Sequence, residues 1–149
     1  MRELEQKKIV FKTHSYVNTD AISGMEVASV LNEDPNYVFK TLVTIGKSGN
    51  HFVFLVPVNR ELNLKKAAKT VGEKSISMVK QAELLPLTGY IHGGCSPVGM
   101  KKLFKTVIDE SASSYDKIIF SGGKIGYQIE TTLSELNKVI SFILGDISE

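Results

Sequence analysis

Residues 38–58 carry the pattern that most constrains this chain. Residues 38–45 form a run rich in β-branched and aromatic side chains, the strongest strand signal present. Gly49 and Asn50 supply a turn, and residues 51–58 return as a second strand. Two such runs about a tight turn predict a central antiparallel hairpin.

The other elements are read around that hairpin. Residues 3–8 suit a short helix, residues 9–16 a strand, and residues 17–21 a polar connection. Ser23 is a helix N-cap, with Glu26 three positions on completing a capping box. The helix it starts carries Met25, Val27, Ala28, Val30 and Leu31 and ends before Pro35. Asn63 caps a helix over residues 64–71, closed by Gly72. Residues 75–79 read as a strand and residues 81–85 as a short helix stopped before Pro86. Short strands follow at 106–109, 117–120 and 127–130. Residues 134–144 read as an amphipathic helix burying Leu136, Val139, Ile140, Ile143 and Leu144. Short strands mixed with helices, without regular βαβ alternation, predict an α+β domain with a curled mixed sheet of at least six strands.

The chain of 149 residues fits one domain, and neither a linker, a repeat nor a low-complexity tract divides it. Its 42% hydrophobic and 23% charged residues are the balance of a soluble globular protein. No apolar run is long enough to cross a membrane, and the charged N-terminus is no signal peptide. A cytoplasmic location is expected. One cysteine, Cys95, rules out an internal disulfide and a cysteine zinc cage. His14, His51 and His92 lack metal-ligand spacing, and there is no G-x-S-x-G elbow, so neither a metal nor a serine nucleophile is indicated. The net charge of +2 is uneven: between Arg60 and Lys105 stand nine Lys/Arg against three acids. That basic middle could meet a phosphate backbone, or be a lysine-rich solvated helix face.

Two stretches bring glycine to the surface. The first, over residues 87–102, places Gly93 and Gly94 before Cys95, Ser96 and Pro97. Its glycines allow a ligand to approach bare backbone, and successive N–H groups in such a turn suit a phosphate or an oxyanion. An ordinary turn between strands has the same composition. The second, over residues 121–126, holds Ser121, Gly122, Gly123 and Lys124. Cys95 could act as a nucleophile only with a base such as His92 and a lowered pKa; otherwise it fills space. Lys40 shares a strand face with Val38, Leu42 and Thr44, while Phe39, Thr41, Val43 and Ile45 form the other. A lysine there either snorkels to the edge or looks into a lined pocket.

Four segments, in order, resemble the YbaK/prolyl-tRNA-synthetase-associated editing domains: "HSY" at 14–16, "VFKTLV" at 38–43, "GGCSPVG" at 93–99 and "SGGK" at 121–124. The resemblance covers residues 7–144 and implies a YbaK-like mixed sheet or barrel of about six to eight strands flanked by helices. It implies one editing domain over residues 1–149. Carried over residue by residue, Lys40 would anchor the terminal adenosine and the substrate carbonyl region, and Gly93 with Gly94 would face the scissile ester. Tyr16, Cys95, Ser96, Pro97, Ser121, Lys124 and Gln128 would line the substrate. The chain departs from the family pattern at Ile125, where an arginine is usual, and at Gln128, where some members have a carboxylate. Gln128 hydrogen-bonds but cannot serve as a base. The phenylalanine that some members carry near Ser23 also has no clear counterpart.

The resemblance implies a trans-acting aminoacyl-tRNA deacylase without a cofactor, its usual substrate cysteine mischarged on tRNA(Pro), cleaved with help from the substrate's own thiol. The tRNA 3′ end and acceptor stem would be the partner, with prolyl-tRNA synthetase as a candidate associate. Two alternatives stay open: a non-catalytic tRNA- or nucleotide-binding module of the same fold, and an editor of alanine or another small amino acid.

Overall fold

The computed structural model describes residues 10–16, 24–90, 95–100, 104–123 and 126–149. The 38–58 hairpin is its centre. Strands β2 (Phe39–Gly46) and β3 (His51–Pro57) pair antiparallel, with Lys40 opposite Val56 and Thr41 opposite Leu55. Strand β4 (Ile76–Met78) joins β2 along Thr44–Gly46. Strand β5 (Lys105–Asp109) runs parallel to β3, and β8 (Ile143–Gly145) parallel to β5. These give a five-stranded mixed sheet in the order β4-β2-β3-β5-β8. A second, antiparallel sheet holds β1 (Lys12–Ser15), β7 (Tyr127–Thr131) and β6 (Ile118–Ser121) in the order β1-β7-β6.

The unbroken apolar character of β3 follows from burial on both faces. One face presents Phe52, Phe54 and Val56 to Ala67 and Ala68 of helix α2 (Leu64–Val71). The other presents Val53 and Leu55 to a core shared with Ile118, Phe120 and Ile129 of the second sheet. Helix α2 begins where Asn63 accepts a hydrogen bond from the Lys66 N–H and ends at Gly72 in the left-handed region, as the capping residues predict. Helix α1 (Gly24–Val30) buries Val27 and Ala28 but leaves Met25 and Val30 about half exposed. The capping box expected at Ser23 lies outside the described residues.

Three expectations need correction. The mixed-sheet α+β class is observed, but the sheet is not closed into a barrel. Two open sheets share a core, and among the described residues one parallel bridge, Val38 with Ile119, links their backbones. Helix α3 (Gln81–Thr88) runs through Pro86 instead of stopping before it, and Gly89 then caps it in the left-handed region. In so short a helix the proline forfeits one internal hydrogen bond near the end, which costs less than in a long one. The helix expected over residues 134–144 is a single turn, α4 (Leu133–Leu136), capped by Thr132. Ile143 and Leu144 lie in edge strand β8, 44% and 42% exposed. Pairing with β5 outweighs the local helical pattern there.

Candidate active site

Strand β2 has a stretch of edge that no described strand covers. Strand β4 reaches it only at Thr44–Gly46, and the second sheet only at Val38. In the gap lies a cavity of about 440 Å³. Its polar wall is Tyr16 from the end of β1, Lys40 and Thr41 from β2, Gln81 from α3, and Ser121 and Gln128 paired across β6 and β7. Apolar residues, among them Val27, Phe39, Met78 and Leu84, make most of the rest. An apolar cavity with a few convergent polar groups is the form of a small-ligand site.

Lys40 is one of the residues lining the cavity, and its ammonium lies 3.5 Å from Glu61 Oε2. Tyr16 is 4% exposed, and its N–H donates to the Gly126 carbonyl at 2.7 Å, which locks β1 to the second glycine turn. Gln128 is buried, with no partner for Oε1; Thr41 Oγ1 is likewise buried and unpartnered. Ser121 Oγ accepts from the Gly123 N–H.

Cys95 is also on the wall. Burial pushes its thiol above the ordinary value, and the neighbouring Thr88 hydroxyl offsets this only in part. A protonated thiol is a poor nucleophile, so Cys95 fits a space-filling role. Ser96 and Pro97 are buried next to it, and Ser96 Oγ accepts from the Val98 N–H. Neither is on the described cavity wall. Gly93, Gly94 and Lys124 lie outside the described residues.

Tyr90, which the sequence reading passed over, ties the two glycine stretches together. Its hydroxyl donates to the Val98 carbonyl, and its ring packs where a Cβ on Gly123 would sit. Beyond Gln128 on the same strand, Glu130 accepts from His14 Nε2 and Lys117 Nζ, both at 3.1 Å. Lys117 also lies 3.6 Å from Glu33 and over the Tyr37 ring. Burial pushes the Glu130 carboxyl up, but the two hydrogen bonds and the Lys117 charge hold it below the usual range. The donor atoms of His14, Glu33 and Glu130 are close enough to hold a metal ion. The Lys117 ammonium already serves as the cation between the two carboxylates.

Together these describe a small-ligand site built on a strand-borne lysine, in a two-sheet α+β fold. The family model described as "Aminoacyl-tRNA editing domain" matches residues 19–139. The chain belongs to the aminoacyl-tRNA editing domain family. It is 45% identical over 131 residues to the "Putative Cys-tRNA(Pro)/Cys-tRNA(Cys) deacylase EbsC" of Enterococcus faecalis, covering 87% of this chain and 80% of that one. It is 31% identical over 117 residues to a proline–tRNA ligase of Thermosipho melanesiensis, covering 78% of this chain but 20% of the ligase, so the ligase's activity does not carry over. Among solved structures, the "Crystal structure of a putative trans-editing enzyme for prolyl tRNA synthetase" superposes with a TM-score of 0.87 at 26% identity, covering 99% of this chain and 93% of that one.

Proposed function

We propose that this protein is a trans-acting aminoacyl-tRNA deacylase that removes cysteine mischarged on tRNA(Pro), with residues 1–149 working as one editing unit in the cytoplasm. The observation that carries the reading is Lys40 on the wall of a partly polar cavity, in a chain of the editing family. The name of the Enterococcus faecalis relative supports the cysteine substrate. The substrate thiol adds to its own ester carbonyl, a cyclic thioester forms as the C–O bond to the ribose breaks, and the ribose oxygen takes up the thiol proton. Water then opens the thioester. The scheme asks the protein for no nucleophile, which suits a Cys95 thiol held protonated by burial.

In this reading Lys40 leaves Glu61 to hold the terminal adenosine and the substrate carbonyl region, Tyr16 and Ser121 shape the ribose side, and the backbone at Gly93 and Gly94 faces the developing oxyanion. An oxyanion donor of this kind is worth about 3 kcal/mol. Cys95, Ser96, Pro97, Lys124 and Gln128 complete the substrate surroundings. Lysines of the basic middle meet the acceptor stem, and prolyl-tRNA synthetase is the partner that would supply tRNA identity. Release of labelled amino acid from Cys-tRNA(Pro), Ala-tRNA(Pro) and Ser-tRNA(Pro) tests the proposal. Fast loss of cysteine alone is expected. Loss of alanine instead would make this an editor of small amino acids. Binding without any loss would make it a tRNA-binding module, a reading that the Gln128 amide, unable to take a proton, also accommodates.

A further inference from the structure

Two oxygens on the cavity wall lack a protein partner: Gln128 Oε1, on a side chain 7% exposed, and Thr41 Oγ1. Buried polar atoms are almost always paired, so two unpartnered oxygens on residues that line one cavity point to a donor that its occupant would bring. The main chain of Thr41 adds a third group. Val38 carbonyl accepts from Val58 N–H on the β3 side, whereas Val43 carbonyl accepts from Val79 N–H on the opposite edge. By the alternation of an antiparallel ladder, the Thr41 carbonyl points to that same opposite edge. There no described strand pairs with it.

This part of the wall is therefore rich in acceptors. A glutamine Oε1 and a backbone carbonyl only accept, and a threonine hydroxyl can accept as well. The matching ligand group is one with several donors at a single atom. Within the esterified amino acid only the α-amine answers: the ester and carbonyl oxygens donate nothing and the thiol donates once, while the adenine N6 amine, the other two-donor group, is common to every charged tRNA and cannot tell one amino acid from another. A primary amine carries one N–H more than the ring nitrogen of a prolyl group in the same protonation state. We propose that Thr41 and Gln128 read the primary α-amine of the esterified amino acid, and so spare a secondary-amine ester such as the correctly charged prolyl one. The inference rests on the deacylase reading and gives it a means of discrimination that does not depend on side-chain size.

The test compares cysteinyl-tRNA(Pro) with N-methylcysteinyl-tRNA(Pro), which lacks one N–H. The proteins are wild type, Thr41→Val, Thr41→Ser and Gln128→Leu. Thr41→Val keeps shape and β-branching, and thermal melting confirms each variant's fold. In the wild type, N-methylation should lower kcat/KM at least tenfold. Thr41→Val should lose about tenfold on the primary amine and shrink the N-methyl penalty below threefold. Gln128→Leu should behave alike, and Thr41→Ser should resemble wild type. An N-methyl penalty equal in all four proteins, or unaltered primary-amine turnover in Thr41→Val, overturns the proposal. A parallel titration by calorimetry uses adenosine bearing amide-linked cysteine or N-methylcysteine, neither of which hydrolyses readily. If no aminoacyl-tRNA is cleaved but the wild type alone discriminates between these two ligands, the deacylase reading falls and the amine site stands. If neither ligand is distinguished, the amine site falls whatever the turnover.

Discussion

Lys40 Nζ stands 3.5 Å from Glu61 Oε2, and the two ends of this pair are unequally placed: Lys40 is 28% exposed and Glu61 82%. An ion pair so open to water contributes at most about 1 kcal/mol. Lys40 can therefore exchange Glu61 for the substrate at little expense. Lys40→Ala is expected to abolish deacylation, by at least a hundredfold in kcat/KM, while shifting the unfolding free energy by under about 1 kcal/mol. Robust turnover by a folded Lys40→Ala protein, beside an active wild type, would sink the mechanism.

Glu61→Gln addresses the other end of the pair. Without the carboxylate, Lys40 meets the tRNA uncompensated, so KM for aminoacyl-tRNA should fall a few-fold with kcat little changed. Screening removes contributions of this kind, so the gain should vanish as salt is raised toward 1 M. A gain that persists at high salt would point to a steric cause.

Cys95→Ala should leave deacylation within about threefold of wild type. The thiol is held protonated by burial, and the proposed chemistry uses the substrate's sulfur. Removing one buried sulfur should cost about 1 kcal/mol of stability through the space it leaves. Turnover assays with thermal melts read both effects; loss of activity at unchanged stability would restore Cys95 as a nucleophile.

Gly123 has φ +99°, and a Cβ built there falls 3.0 Å from Tyr90 Cε1. Gly123→Ala therefore combines backbone strain with displacement of Tyr90, and a loss of about 1–3 kcal/mol is expected. Since Ser121 Oγ accepts from the Gly123 N–H, kcat/KM should drop with it. Tyr90→Phe, which loses only the bond to the Val98 carbonyl, should be milder on both counts. Chemical denaturation beside turnover assays separates the two variants.

Glu130 contributes to the acid limb of stability. Its carboxyl lies below the ordinary value near 4.5 in the folded protein. The stabilisation is complete above that ordinary value and is lost as pH falls through the lower folded one. Lys117→Met removes one of the two hydrogen bonds that hold it down, so the acid-unfolding midpoint should move upward, with about 1.5–3 kcal/mol lost at neutral pH. An unmoved acid midpoint, followed by circular dichroism from pH 7 to 2, would show that the network contributes little.

What the sequence made legible was local. Asn63 and Gly72 bracket α2 because a cap and a left-handed glycine act within one turn of the helix they bound. Lys40 stood out because it breaks an apolar run. The misreading of residues 134–144 has the opposite origin. Leu136, Val139, Ile140, Ile143 and Leu144 do recur at helical spacing, but Ile143 and Leu144 are claimed by Val107 and Ile108, more than thirty positions away. Periodicity cannot register a partner that distant. Thr41 was quoted within a motif and never singled out, because its importance rests on which edge of β2 is left uncovered. Tyr90 gave no signal of its own; its role depends on the folded positions of Val98 and Gly123.

The pairing of β1 with β7 has a consequence for how the chain acquires its shape. Lys12 meets Glu130 and Ser15 meets Tyr127, so the first described strand has its ladder partner more than a hundred residues downstream. During synthesis β1 must wait, unpaired, until β7 has left the ribosome, and closures of such length are slow. Tyr16, at the end of β1, takes its place on the cavity wall only then. The binding surface is thus completed late, and a nascent chain still lacking β7 lacks Gln128 and the seat of Tyr16 on the cavity wall.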